Sequence, residues 1–200
     1  MPKDSRAWEA MENRQSATSA FPLNIPNSLT ILRILLIPVL VGFLVYGHYS
    51  YALVTLLIAA LTDGLDGTIA RLANQRTQFG AYLDPLADKL LLMSAFVTFA
   101  ILDLVPVWSV ILVVSRDAIL LTGTLLARLT ETRVDVSPTM LGKVTTFAQL
   151  LYIILTLVLA SRQLDPVLLS PLLYLMSALT FTSGFYYIVR GVRQSSLPQG

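Results

Sequence analysis

Six runs of apolar residues, at roughly 29–47, 50–72, 82–103, 105–128, 140–161 and 167–189, follow one another with short polar breaks between them. Each is close to the ~20 residues that a helix needs to cross the hydrocarbon of a bilayer. Inside lipid a backbone must satisfy its own N–H and C=O groups, so a series of such runs folds as helices. The expectation is an all-α polytopic membrane protein, a bundle of six transmembrane helices over residues 25–190. The composition fits this, with 55% hydrophobic and 13% charged residues, against about 25% charged in soluble domains. Residues 1–24 are polar and mixed in charge and read as an N-terminal tail, and 191–200 as a short C-terminal tail. No small-residue cleavage pattern follows the first apolar run, so the tail is expected to stay attached.

Six spans put both ends of the chain on one side. The breaks "GHYS" and "LDLVP" contain no Lys or Arg, and "SRQLDP" has only Arg162. Arg71, Arg76, Lys89, Arg128, Arg133 and Lys143 lie at the alternate ends of the spans, together with Lys3, Arg6, Arg14, Arg190 and Arg193 of the terminal regions. By the positive-inside rule this side faces the cytoplasm. The formal net charge is only +2 and the basic residues are scattered, so no nucleic-acid partner is expected. There is no cysteine, which excludes disulfides and thiolate metal sites. No internal repeat supports an inverted-repeat transporter.

The stretch "TDGLDGTIARLANQRTQFGAYLDPLADK", residues 62–89, places Asp63, Asp66, Asp84 and Asp88 where the membrane makes charge costly. An aspartate at mid-membrane costs roughly 2.5–3.5 kcal/mol, so four facing lipid would cost on the order of 10 kcal/mol. At about 100° per residue, Asp63, Asp66, Gly67, Ala70 and Arg71 fall within an arc of roughly 140° on one helix, and Gly80, Asp84 and Asp88 within roughly 80° on the next. On one straight helix Asp66 and Asp84 would lie about 27 Å apart, but "ANQRTQF" offers a turn that folds the two faces together. Four gathered carboxylates repel one another unless protonated or joined by a cation. Oxygen ligands suit Mg²⁺, Mn²⁺ or Ca²⁺, and the single histidine, His48, belongs to the opposite side, which argues against zinc. Gly67, Ala70 and Gly80 leave the faces open to a bulky ligand, or serve as small-residue packing positions. Pro85 either opens the second helix locally or starts it, with Asp84 as its cap.

Asp63, Asp66, Gly67, Ala70, Arg71, Gly80, Asp84 and Asp88, at these spacings, match all eight positions of the signature that the sequence resembles, that of the CDP-alcohol phosphotransferase family. The resemblance implies transfer of a phosphatidyl or substituted phosphoryl group from a CDP-linked donor to an alcohol, with release of CMP. It implies that Asp63, Asp66 and Asp84 hold one or two divalent ions, Mg²⁺ or Mn²⁺. Asp88 matches the last aspartate, which lies at the same metals and acts as general base. Asp66, Gly67, Ala70, Arg71 and Gly80 match positions at the cytidine nucleotide, as do Asn27 and Thr30 in the first span. A homodimer is implied as well.

The opening "NIPNSLTILRILLIP", with "FGAYLDPLADKLL" and "MLGKVTTFAQLL", is similar to bacterial phosphatidylglycerophosphate synthases. That similarity implies CDP-diacylglycerol as donor, glycerol 3-phosphate as acceptor and the bacterial inner (plasma) membrane as location. Arg116 and Lys143 then match basic positions of the acceptor's phosphate pocket. The plainer alternatives are an ion pair with Asp117 for Arg116, an interfacial anchor for Lys143, and a snorkelling interfacial role for Arg33. "SRD" at 115–117 and the later "SPT" also resemble cardiolipin synthases, whose acceptor is phosphatidylglycerol. A divalent-cation channel or transporter is the rival from another class, since intramembrane carboxylates also mark ion paths. It is disfavoured because nothing acidic continues across the bilayer, Asp103 and Asp165 lying isolated on the far side.

Overall fold

The computed structural model describes residues 25–72, 78–129 and 139–195, and side chains within 28–62, 86–123 and 139–190. The N-terminal tail and residues 196–200 lie outside these ranges. The described residues form α1 (Ile25–Val45), α2 (Tyr49–Leu72), α3 (Gln78–Ile101), α4 (Val107–Leu129), α5 (Met140–Ser161) and α6 (Ser170–Ser195). A single 3-10 turn, Pro166–Leu169, precedes α6. The expected all-α bundle is therefore present, and each helix overlaps one of the six apolar runs. α3 starts at Gln78, so Pro85 lies within the helix and does not begin it. Pro38 sits likewise inside α1. Membrane bundles tolerate such prolines because neighbouring groups and water satisfy the freed carbonyl.

Three stretches, Ser28–Val45, Met140–Ser161 and Pro166–Arg190, are long and apolar enough to cross a membrane by length and composition alone, among the described residues. Tyr49–Thr62 is a shorter apolar helix segment. Its apolar length is cut where the aspartates enter α2.

The helices close a ring in the order α1, α2, α5, α6, α4, α3 and back to α1, with α3 also reaching α5 across the middle. The centre holds Leu40 and Leu44 of α1, Leu56 of α2, Phe96 and Phe99 of α3, Val113 of α4 and Ile153 of α5. Phe96 stacks on Tyr152, with ring centroids 6.4 Å apart and planes within 3°. Large apolar side chains such as Leu35, Leu61, Phe147 and Phe181 point outward, while Thr98, Thr145, Gln149, Thr156 and Ser183 are buried. This is what lipid as solvent selects: apolar residues outside gain nothing by hiding, and polar groups turn inward to find partners. The buried threonines donate to carbonyls four residues earlier, as in Thr98 to Ser94 at 2.7 Å and Thr156 to Tyr152 at 2.8 Å.

α1 ends in a tight left-handed cap: Gly47 has φ +73°, and the His48 amide donates to the Phe43 carbonyl at 2.8 Å. The same cap closes α3 at Asp103 (φ 55°) and α5 at Gln163 (φ 57°), which carry side chains. Gly47→Ala places a Cβ in the left-handed region and is expected to cost about 1 kcal/mol. A thermal unfolding midpoint in detergent that does not fall would contradict it.

Candidate functional site

Every second helix end lies at the same end of the ring, which brings together the C-terminus of α2 and the N-termini of α1, α3 and α5. Asp63, Asp66, Gly67, Ala70 and Arg71 fall in the last three turns of α2, and Gly80, Asp84 and Asp88 in the first three turns of α3. Both helices pack against α1. The side chains of Asn27, Asp63, Asp66, Gly67, Ala70, Arg71, Gly80 and Asp84 lie outside the described residues. Their helical positions place the four aspartates at one end of the bundle, on two helices that share a neighbour.

The side chain of Asp88 lies within the described residues. Its Oδ1 accepts a hydrogen bond from Nη1 of Arg33 at 2.6 Å, and the side chains are 38% and 1% exposed respectively. Arg33 is therefore not the snorkelling residue that its place near the start of α1 suggested. It points into the bundle, one turn beyond the equally buried Thr30. An arginine in the hydrocarbon needs a partner, and a charge-assisted bond to a carboxylate supplies one. Nothing in the sequence pairs Arg33 with Asp88, which is 55 residues away.

A second charged cluster sits beside it. Lys89 Nζ and Arg116 Nη1 both donate to Oδ1 of Asp117, at 2.8 and 2.7 Å. Arg116 Nη2 also donates to the Gly142 carbonyl and to Ser183 Oγ, each at 3.2 Å. Four helices, α3 to α6, are tied through this cluster. Asp117 is fully buried and Arg116 3% exposed, so the ion pair considered for Arg116 is real. Two cations share one carboxylate, leaving one positive charge in excess within the trio. Arg116 Nε and Asp117 Oδ2 find no protein partner among the described residues. Lys143, by contrast, is exposed. No described contact joins its ammonium to Arg116, although the neighbouring Gly142 carbonyl holds the guanidinium.

Gly142 leaves the room this arrangement needs. A Cβ there would stand 3.1 Å from Tyr187 Oη and 3.3 Å from both Arg116 Nη2 and Thr139 Oγ1. Thr139 caps α5 by accepting from the Gly142 amide, and both its amide and its hydroxyl donate to Tyr187 Oη. Lys89, Gly142 and Ser183 were missed in the sequence, where only the pairing considered between Arg116 and Asp117 hinted at the cluster. Along the outer wall, Trp108, Ile111, Phe181 and Phe185 of α4 and α6 line an open groove of about 430 Å³ that Arg116 borders.

The donor chemistry at the end of α2 and α3 is all carboxylate, with no thiol in the chain and the one imidazole at the opposite end. That set fits a hard divalent cation.

Comparison with known proteins agrees with the motif. Residues 23–184 match the family model of the CDP-alcohol phosphatidyltransferases. The CDP-diacylglycerol–glycerol-3-phosphate 3-phosphatidyltransferase of Bacillus subtilis is 40% identical over 143 residues, 64% of this chain and 73% of that protein. A probable phosphatidylglycerophosphate synthase of Mycobacterium tuberculosis is 34% identical over 191 residues, 91% of this chain and 88% of its own length. A probable cardiolipin synthase (CMP-forming) of Drosophila melanogaster is 34% identical over 84% of this chain, which spans 57% of that longer protein. With the matched model covering most of the chain and the eight signature residues falling at one end of two helices that both pack on α1, the chain is a membrane protein that belongs to the CDP-alcohol phosphatidyltransferase family.

Proposed function

We propose that the protein transfers the phosphatidyl group of CDP-diacylglycerol to glycerol 3-phosphate, giving phosphatidylglycerophosphate and CMP. The observation that carries this reading is the placement of Asp63 and Asp66 at the end of α2 and of Asp84 and Asp88 at the start of α3, at one end of the bundle. Asp88 accepts the proton of the acceptor hydroxyl as that hydroxyl's oxygen attacks the phosphorus bearing the diacylglycerol, and the phosphoanhydride bond breaks with CMP as the leaving group. Asp66, Gly67, Ala70, Arg71 and Gly80 bind and orient the cytidine nucleotide, with Asn27 and Thr30 on the α1 side. The Arg116 cluster and Lys143 supply the positive field for the acceptor's phosphate. Mg²⁺ or Mn²⁺, held by Asp63, Asp66, Asp84 and Asp88, neutralises the diphosphate and the departing CMP when bound. The site and both termini face the cytoplasm of the bacterial inner membrane, and the working unit is a homodimer.

A second acceptor, phosphatidylglycerol, is favoured by one observation: the apolar groove between α4 and α6 reaches Arg116 and has room for part of an acyl chain. The decisive experiment gives purified protein CDP-diacylglycerol with Mg²⁺ or Mn²⁺, offers either acceptor, and measures CMP. Release with glycerol 3-phosphate, abolished by a chelator, is the expected result. Release with phosphatidylglycerol alone assigns the cardiolipin reaction, and release with neither removes the transferase reading. Chemical crosslinking in native membranes checks the dimer.

A further inference from the structure

Arg33 enters neither the family signature nor the proposed chemistry, yet it is among the largest fully buried side chains of the molecule. Its guanidinium meets Asp88 at 2.6 Å across the α1–α3 contact. With its side chain 1% exposed, Arg33 has no surface left to offer a nucleotide or an acceptor. Asp88 is the more open member of the pair. The arginine thus meets the carboxylate from the packed interior, while the carboxylate keeps the more exposed position.

A carboxylate turns easily about its last torsion, whose energy profile is broad and roughly two-fold. A proton acceptor that turns spends little of its time aimed at the hydroxyl. A charge-assisted bond from a guanidinium locked in a packed core fixes one oxygen and so fixes the direction of the other. Support of this kind decides whether a reacting group is held within about 0.5 Å of its productive place. α1 carries the arginine and α3 the carboxylate, so their packing is transmitted directly to the reacting group.

We infer that Arg33 is a positioning residue for phosphatidyl transfer, orienting the Asp88 carboxylate while touching neither substrate. This rests on the reading of Asp88 as the proton acceptor. Orientation acts on the chemical step, so its loss lowers kcat and leaves substrate binding in place. A lysine keeps the charge but lacks the planar fork, and recovers part of the rate.

The test compares wild-type protein, Arg33→Gln and Arg33→Lys, reading kcat and KM for CDP-diacylglycerol and acceptor from CMP release, and CMP affinity by calorimetry. For Arg33→Gln, kcat is expected to fall about 100-fold while KM values and CMP affinity stay within about threefold of wild type. Arg33→Lys is expected to recover about a tenfold part of the loss. Wild-type kcat in Arg33→Gln, a loss that appears in KM or CMP affinity, or no recovery in Arg33→Lys overturns the inference. If Arg33→Gln does not fold, Arg33→Lys decides alone: a lower kcat at unchanged KM supports the role, and an unchanged kcat or a raised KM removes it. Absence of CMP from the wild type removes the transferase reading itself, whereas CMP from wild type and Arg33→Gln alike removes only the role of Arg33.

Discussion

Asp117→Ala is expected to destabilise the bundle by about 3–5 kcal/mol, the usual consequence of leaving buried charge without its counter-ion. The carboxylate is fully buried, and its Oδ1 receives both Lys89 and Arg116. Removing it leaves two cations facing each other inside the protein, one of them 3% exposed and the other 17%. Arg116 is further held in place by its bonds to Gly142 of α5 and Ser183 of α6, so it cannot turn out to water as Lys89 can. The measurement is the thermal or denaturant unfolding midpoint in detergent, wild type against variant. A midpoint that stays put would mean that water already solvates the cluster. Lys89→Met in the Asp117→Ala background should recover part of the loss, since one of the two orphaned charges is then gone. Strict additivity of the two substitutions would show that the residues do not act as a pair.

The contrast between this cluster and the Arg33–Asp88 pair shows how far a single sequence can be read. The six helices were legible because an apolar run of membrane length admits little but a helix, and the runs are separated by clear polar breaks. The aspartates were legible because charge within such runs demands a reason, and because their spacing follows the helical repeat. Who meets whom across helices was not legible. Arg33 and Asp88 are 55 residues apart, and Lys89 and Asp117 are 28 apart, so only the ring order of the helices makes them neighbours. Asp117 looked like the local partner of Arg116, which it is. That it also holds Lys89, next to Asp88 in the chain, depends on α3 packing against α4. The left-handed caps at Gly47, Asp103 and Gln163 were not read from the sequence either, and two of the three use residues other than the glycine that usually signals such a turn. Of the two roles open to Pro85, starting α3 is excluded because the helix begins at Gln78, and a membrane bundle compensates the bond that proline removes.

Asp88→Asn is expected to lower turnover by about 10²–10⁴-fold, the range that general-base catalysis supplies, with little change in fold. Asparagine has nearly the same shape, and its carbonyl oxygen still accepts from the Arg33 guanidinium, so the α1–α3 contact keeps its hydrogen bond. It loses the negative charge, but the cost at this pair is smaller than at Asp117 because the Asp88 side chain is 38% exposed and solvent screens what burial would magnify. An amide cannot take the acceptor's proton. The two losses thus fall on different observables: CMP release collapses while the unfolding midpoint moves little. Asp88→Ala adds the loss of the Arg33 bond, so its unfolding midpoint should fall below that of Asp88→Asn at equally low turnover. Wild-type turnover in Asp88→Asn would strip Asp88 of its role as proton acceptor. Equal midpoints for the two variants would show that the 2.6 Å contact contributes nothing to holding α1 on α3.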